Sequence, residues 1–130
     1  MANNYTLFSV SLGKCSNEEC EWLKTEYAYK HEETLVDSFH INIDAGDVTI
    51  YSDECGDCEA AANLIQAFLK KFRPKQWVIL ETAFTCSKAR PGEFGGAVVL
   101  VTAKKQHWMN TSQWATSQAK QLRLSTKERL

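Results

Sequence analysis

Ala61, Leu64, Ile65, Phe68, Leu69 and Phe72 recur at intervals of three and four residues, and that stripe is the strongest constraint in the chain. At 3.6 residues per turn it puts all six side chains on one side of a helix over residues 58–72, and an apolar side needs a surface to pack on. Pro74 stops the helix, while Lys70, Lys71 and Arg73 set cations at the negative end of its dipole. The flanking segments have a different period. Residues 5–12 alternate Leu7, Ser9 and Ser11 with Phe8, Val10 and Leu12. Phe39, Ile41 and Ile43 alternate with His40, Asn42 and Asp44, and Ala45-Gly46-Asp47 turns the chain back into residues 48–51. Strands on either side of an amphipathic helix lead to helices packed on a sheet.

The remaining elements follow from similar signals. Ser16 followed by Glu19 is a capping box that opens a helix running to about residue 33, with Cys20, Leu23 and Tyr27 on its buried side and Glu26 and Lys30 paired on the wet side. Residues 77–86 and 97–103 are apolar on both faces, as strands covered on both sides would be. A third helix, capped by Asn110 or Thr111, is expected to run to about residue 123, leaving 125–130 as a frayed polar tail. The order β-α-β-β-α-β-β-α makes one α+β domain over residues 1–124. Its first six elements match the split βαβ, ferredoxin-like plan: a single-layer, mainly antiparallel sheet with helices packed on it, extended by an added strand and a C-terminal helix. Right-handed crossovers would set the first strand parallel to the third. A thioredoxin-like arrangement beginning at Val48 is the alternative.

Composition excludes several classes of function. The 15 basic and 16 acidic residues leave a net charge of −1, so no whole-molecule field draws the chain to nucleic acid. No apolar run approaches the roughly 20 residues of a membrane span, and Met1-Ala2-Asn3-Asn4 lacks the basic start and apolar stretch of a secretory signal. A cytoplasmic protein with no membrane partner is the expectation. His31, His40 and His107 make no paired-ligand spacing, and no GxSxG, HExxH, Walker or dinucleotide signature occurs. Asn110-Thr111-Ser112 is a glycosylation sequon in form only.

Two constellations could carry chemistry. The first is Cys15-x₄-Cys20 with Cys55-x₂-Cys58. Were the first and third strands parallel, both pairs would open at one end of the sheet, and four thiolates there could hold a tetrahedral zinc ion. Cys55-Gly56-Asp57-Cys58 at a helix start also resembles the active-site entry of glutaredoxins and thioredoxins, where Cys55 would attack and Cys58 resolve. Asp57 and Glu59 oppose that role, because carboxylates raise a thiol pKa, and the usual facing proline is absent. The plainer reading is unliganded thiols, with Cys15 and Cys20 at the two positions of a hydrophobic staple around Ser16.

The second constellation is the segment from Thr85 to Gly96. Ser87, Lys88, Arg90, Glu93, Phe94, Gly95 and Gly96 occupy a connection longer than a tight hairpin needs, and such loops are enriched in function. Its cations, hydroxyls and glycines could hold an anionic small molecule or a protein partner. The competing account pairs Arg90 with Glu93 or another carboxylate, makes Gly95 and Gly96 a bulge and buries Phe94 in the core.

With those residues in view, the chain resembles a family of small, uncharacterised proteins of bacteria and their phages. The resemblance rests on Met1-Ala2-Asn3-Asn4-Tyr5-Thr6-Leu7-Phe8-Ser9, on Ile50-Tyr51, on Thr82-Ala83-Phe84-Thr85-Cys86-Ser87-Lys88, and on Glu93-Phe94-Gly95-Gly96-Ala97-Val98-Val99. The family pattern has a third glycine where Ala97 stands and does not require Cys55 and Cys58. The resemblance implies no activity. It implies a cytosolic, phage-encoded protein and makes the 85–96 loop the candidate site, without supplying its ligand. Because no acid, base and nucleophile converge in the sequence, the expectation is a non-enzymatic binding or regulatory module, and a phage setting suits action on a host or defence component. The alternative expectation is a thiol-dependent protein with a zinc site or redox activity at Cys55 and Cys58.

Overall fold

The computed structural model describes residues 2–34 and 39–130, with the side chains of the first helix described as far as residue 27. It is an α+β chain. In order it runs β1 (Asn4–Lys14), α1 (Asn17–Thr34), β2 (His40–Asp44), β3 (Asp47–Ser52), α2 (Cys58–Phe72), β4 (Trp77–Cys86), β5 (Gly95–Thr102), β6 (Gln106–Asn110) and α3 (Thr111–Gln121), with a 3-10 turn at Thr126–Glu128. Among the described residues six strands form one antiparallel sheet ordered β2-β3-β1-β4-β5-β6.

Local chemistry sets most of these boundaries. The Ser16 backbone N–H donates to Glu19 Oε1 (2.8 Å) and the Glu19 N–H to Ser16 Oγ (3.1 Å), which is the expected capping box. Asp57 caps α2, its side chain accepting from the Ala60 N–H at 3.0 Å. Ala45 and Gly46 both take positive φ, 50° and 88°, the signature of a two-residue hairpin whose turn matches the twist of β2 and β3. The Glu26–Lys30 pair and His31 fall outside the described side chains.

β1 and β3 are antiparallel, with Phe8 opposite Ser52 and Lys14 opposite Asp47, which corrects the parallel orientation expected from the sequence. The reason lies in the connections: α1 carries the chain back to start β2 in the direction of β1, and the hairpin then reverses it into β3. The thioredoxin-like alternative fails for a related reason. It needs the strands on either side of α2 to be neighbours, and β1 lies between β3 and β4.

One face of the sheet carries the core. Phe8, Leu12, Val48, Ile50, Leu80, Val99 and Val101 pack with Leu23 of α1 and with Ala61, Leu64, Ile65, Phe68 and Leu69 of α2. The other face of β4 and β5 is not covered, contrary to the two-sided reading of their apolar runs. Trp77 and Ile79 are 62% and 47% exposed, and Val98 and Leu100 are exposed opposite Glu81 and Ile79. Both helices with buried residues serve the same face, so apolar residues on the far side of these strands meet solvent. β6 carries no strand signal in the sequence, since Gln106-His107-Trp108-Met109-Asn110 has no alternation of period two.

Arg73, just past the end of α2, ties three elements together. Its Nε donates to Glu19 Oε2 at 2.9 Å and its Nη2 to Glu19 Oε1 at 3.3 Å, which holds the first turn of α1. The same guanidinium donates to the carbonyls of Leu12 (3.1 Å) and Lys14 (2.9 Å) at the end of β1, and it lies over the Phe68 ring at 5.1 Å. Leu12 is the extra residue of a bulge between Ser11 and Gly13, and its carbonyl is the one Arg73 takes. Burial pushes the Glu19 carboxyl up, yet the hydrogen bonds from Arg73 and Ser16 and the Arg73 charge outweigh it, so its pKa lies below the ordinary value.

With both partners largely buried, Arg73→Met leaves Glu19 uncompensated and two carbonyls without their donor. The expected loss is about 3 kcal/mol in urea unfolding. Because the folded pKa of Glu19 is depressed, its contribution is complete above the unfolded value near 4.5 and disappears as pH falls through the lower folded value. Thermal midpoints measured from neutral to acid pH should therefore drop more steeply for the wild type than for Glu19→Gln.

Candidate functional site: the β4–β5 loop and the cleft beside it

The chain leaves β4 at Cys86 and enters β5 at Gly95, with an eight-residue connection between them. Its first residue is held from across the sheet. Asn3 donates its N–H to Ser87 Oγ and accepts from the Ser87 N–H, both at 2.8 Å, prolonging the β1–β4 ladder by one step. The tip is a turn in which the Glu93 N–H donates to the Arg90 carbonyl (3.3 Å), with Pro91 and Gly92 in the middle and Gly92 at φ +82°. Gly92 suits that φ because it has no Cβ.

Beside the loop lies a cleft of about 360 Å³. One wall is the loop and the start of β5, another the start of β1 at Asn4, Tyr5 and Thr6, and the third the start of α3 at Asn110, Thr111 and Ser112. The α3 wall is well fixed. Asn110 and Gln113 form a capping box (2.7 and 3.4 Å), and the Gly96 N–H donates to Thr111 Oγ1 at 3.2 Å. Gly95 and Gly96 pair regularly with Phe84 and Ala83 and form no bulge. Their small size instead lets Thr111 approach: a Cβ on Gly96 would lie 3.4 Å from Thr111 Cγ2.

Of the residues singled out from the sequence, Thr85, Glu93, Phe94, Gly95 and Gly96 line the cleft. Ser87, Lys88 and Arg90 do not. Ser87 has the structural role described above, while Lys88 and Arg90 are exposed and pair with no carboxylate among the described residues. Arg90 therefore does not pair with Glu93, whose contact with it is through the backbone alone. Phe94 is 55% exposed and does not plug the core. Among the described residues Glu93 is the sole charged one lining the cleft, which does not suit an anionic small molecule there. The walls from β1 and α3 were missed because strand pairing and β6 bring them in. The one available signal was the Asn110 cap.

The cysteines separate into two groups. Cys15 lies by the hairpin, its N–H donating to the Gly46 carbonyl at 2.8 Å, whereas Cys55 is bridged to Thr6 and donates its thiol to the Asn4 carbonyl at 3.4 Å. Lys14 and Thr6 are eight residues apart on β1, about 26 Å at strand rise. The antiparallel β1–β3 pairing thus puts the two cysteine pairs at opposite ends of the sheet, and Cys15, Cys20, Cys55 and Cys58 do not converge on one zinc site. Among the described residues no group of three or more His, Cys, Asp or Glu side chains is placed to hold a metal ion.

Each pair has a local account. Cys15 and the buried Cys20 flank the Ser16 cap, and Arg73 Nη2 reaches Cys15 Sγ at 3.5 Å. Burial, with smaller contributions from Glu19 and Cys20, pushes the Cys15 thiol up despite Arg73. Burial likewise raises Cys58, aided by the Asp57 and Glu59 carboxylates and opposed by a hydrogen bond with Thr82. Within Cys55-Gly56-Asp57-Cys58, Asp57 is the helix cap and Gly56 is required by packing. A Cβ on Gly56 would lie 2.3 Å from Ser52 Cβ and 2.9 Å from Phe8 Cε1. Cys86 stands opposite Asn4 in the β1–β4 register, at the same end as Cys55.

The chain matches no protein-family model, no curated protein and no solved structure, so the site is read from its own geometry. An architectural role for the motif separates its residues in a simple stability measurement. Gly56→Ala should cost about 2 kcal/mol or more through the clash with Ser52 and Phe8. Cys55→Ser, at an exposed position, should stay within about 0.5 kcal/mol of wild type.

Proposed function

We propose that the protein is a non-enzymatic binding module that captures a protein partner with the tip of the β4–β5 loop. The observation that carries this reading is the state of the loop: Lys88 and Arg90 are exposed without a carboxylate partner among the described residues, and Phe94 of the same loop stands out of the core. An aromatic ring with an unpaired arginine is the composition of an interface hot spot, and cations free of internal partners have their charge available to an acidic surface. The cleft adds hydroxyls, Asn110 and the Glu93 carboxylate, which suit a hydrogen-bonding side chain of the partner. Its lining brings together no acid, base and nucleophile set among the described residues.

The strand order β4-β1-β3-β2 supports reading the body as the ferredoxin-like plan, with β5, β6 and α3 as the extension that builds the site. On the family resemblance, the setting is the cytoplasm and the partner a host or defence component met by a phage-encoded protein. Among the described residues no helix is long and apolar enough to cross a membrane.

The test is a pair of loop variants. Immobilised wild-type protein should retain a partner from a bacterial lysate, identified by mass spectrometry and recaptured in purified form. Lys88→Glu with Arg90→Glu should weaken that affinity more than about tenfold, the scale of losing two charge-assisted contacts, with the thermal midpoint unchanged. Undiminished affinity in the double variant would remove the loop tip from the interface.

A further inference from the structure

The uncovered face of β4, β5 and β6 and the helix that follows it present complementary deficits. Trp77, Ile79, Val98, Leu100 and Met109 are exposed on the face, while α3 contains no buried residue at all. A helix of eleven residues is marginal alone in water, so α3 needs a surface to pack on. Its own sheet supplies little of one. The helix begins directly at the end of β6, and a cleft of about 440 Å³ stays open between Trp114 and the side chains of Glu81, Val98 and Met109. Beyond Trp114, Leu122 and Leu124 of this C-terminal arm stand at 71% and 61% exposure.

That arm is nevertheless well terminated. Arg123 takes φ +59° and the Leu124 N–H reaches the Ala119 carbonyl at 2.9 Å, a C-terminal cap that fixes where the two leucines stand. Ala115, Ala119 and Leu124 also line a groove of about 360 Å³ between α3 and the tail. The charges are complementary as well. Glu81 is the sole carboxylate on the exposed face of β4, β5 and β6, and no described cation pairs with it. Residues 120–130 carry Lys120, Arg123, Lys127 and Arg129 against Glu128 alone, and among the described residues none of the four cations has an ion-pair partner.

We propose that two copies of this chain form a symmetric dimer by exchanging arms, α3 and Leu122–Leu124 of each lying across the bare β4-β5-β6 face of the other. The same chain carries both the face and the arm, so one contact is made twice about a two-fold axis, the self-complementary arrangement that closes at a dimer. The apolar side of each arm covers Ile79 and Leu100, and its basic residues approach Glu81 of the other copy.

Sedimentation velocity of the full chain over a wide concentration range is the first reading, with a mass twice the 14.7 kDa of one chain expected. Two variants then locate the contact. Ile79→Asp with Leu100→Asp spoils the face, and Leu122→Asp with Leu124→Asp spoils the arm; each alone should be monomeric. Mixed together they should recover a heterodimer, because the intact arm of the first meets the intact face of the second. Far-UV circular dichroism checks that each is folded, and the arm variant, which alters no buried side chain, decides the matter if the face variant does not fold. A wild type that is monomeric throughout overturns the proposal, as does a dimeric arm variant, which would indicate stacking of two sheet faces, or a mixture that stays monomeric.

Discussion

Arg73 is the point at which three separate segments depend on one side chain. Its guanidinium donates to Glu19 on α1 and to the carbonyls of Leu12 and Lys14 on β1, from a position just past the end of α2. A buried arginine would be costly if its donors were unmet, but planar fork geometry lets one group satisfy a carboxylate and two carbonyls together. The node sets the end of β1 against the start of α1, and so where α1 crosses the sheet. It also explains the surroundings of Cys15, whose thiol lies within this polar cluster and accepts from Arg73.

Around that node the molecule is asymmetric. Both helices with buried residues cover one face, and the strands added beyond β4 expose apolar residues on the other. The β4–β5 loop and the uncovered face belong to the β4-β5-β6-α3 half, and the cleft lies between that half and the start of β1, while α2 packs on the opposite face of β4 and β5. Packing and interaction are therefore divided between the two faces, and the cleft exists because β6 places the α3 cap next to the glycines of β5.

The legible parts of the sequence were those determined by neighbours a few residues away. The 3.6-residue stripe of α2, the Ser16–Glu19 box, the Ala45-Gly46 turn and the Asn110 cap all announce themselves within one or two turns of chain. Relations across the sheet were not legible. The direction of β1 relative to β3 depends on how two connections combine, and reading it as parallel is what brought four cysteines together on paper. Val98, Leu100, Trp77 and Ile79 read as two-sided burial because hydrophobicity alone does not say whether the second face has a cover. Arg73 read as a dipole charge because its acceptors lie about sixty residues away in sequence. For the site, loop length pointed to residues 85–96, but the walls from Asn4–Thr6 and Asn110–Ser112 arrive through pairing that no local pattern encodes.

β1 lies between β3 and β4, antiparallel to both and pinned at its far end by Arg73, and the rest of the sheet is built outward from it. Residue-resolved amide hydrogen exchange on the wild-type protein reads this directly, since protection follows how much of the structure must open to free each amide. The account predicts that the hydrogen-bonded amides of residues 6–10 are among the last to exchange, together with those of α2, while the outer strands β2 and β6 exchange earlier. If residues 6–10 exchange as fast as the outer strands, β1 is not the centre of the sheet, and the placement of the cysteines, the cleft and the open face falls with it.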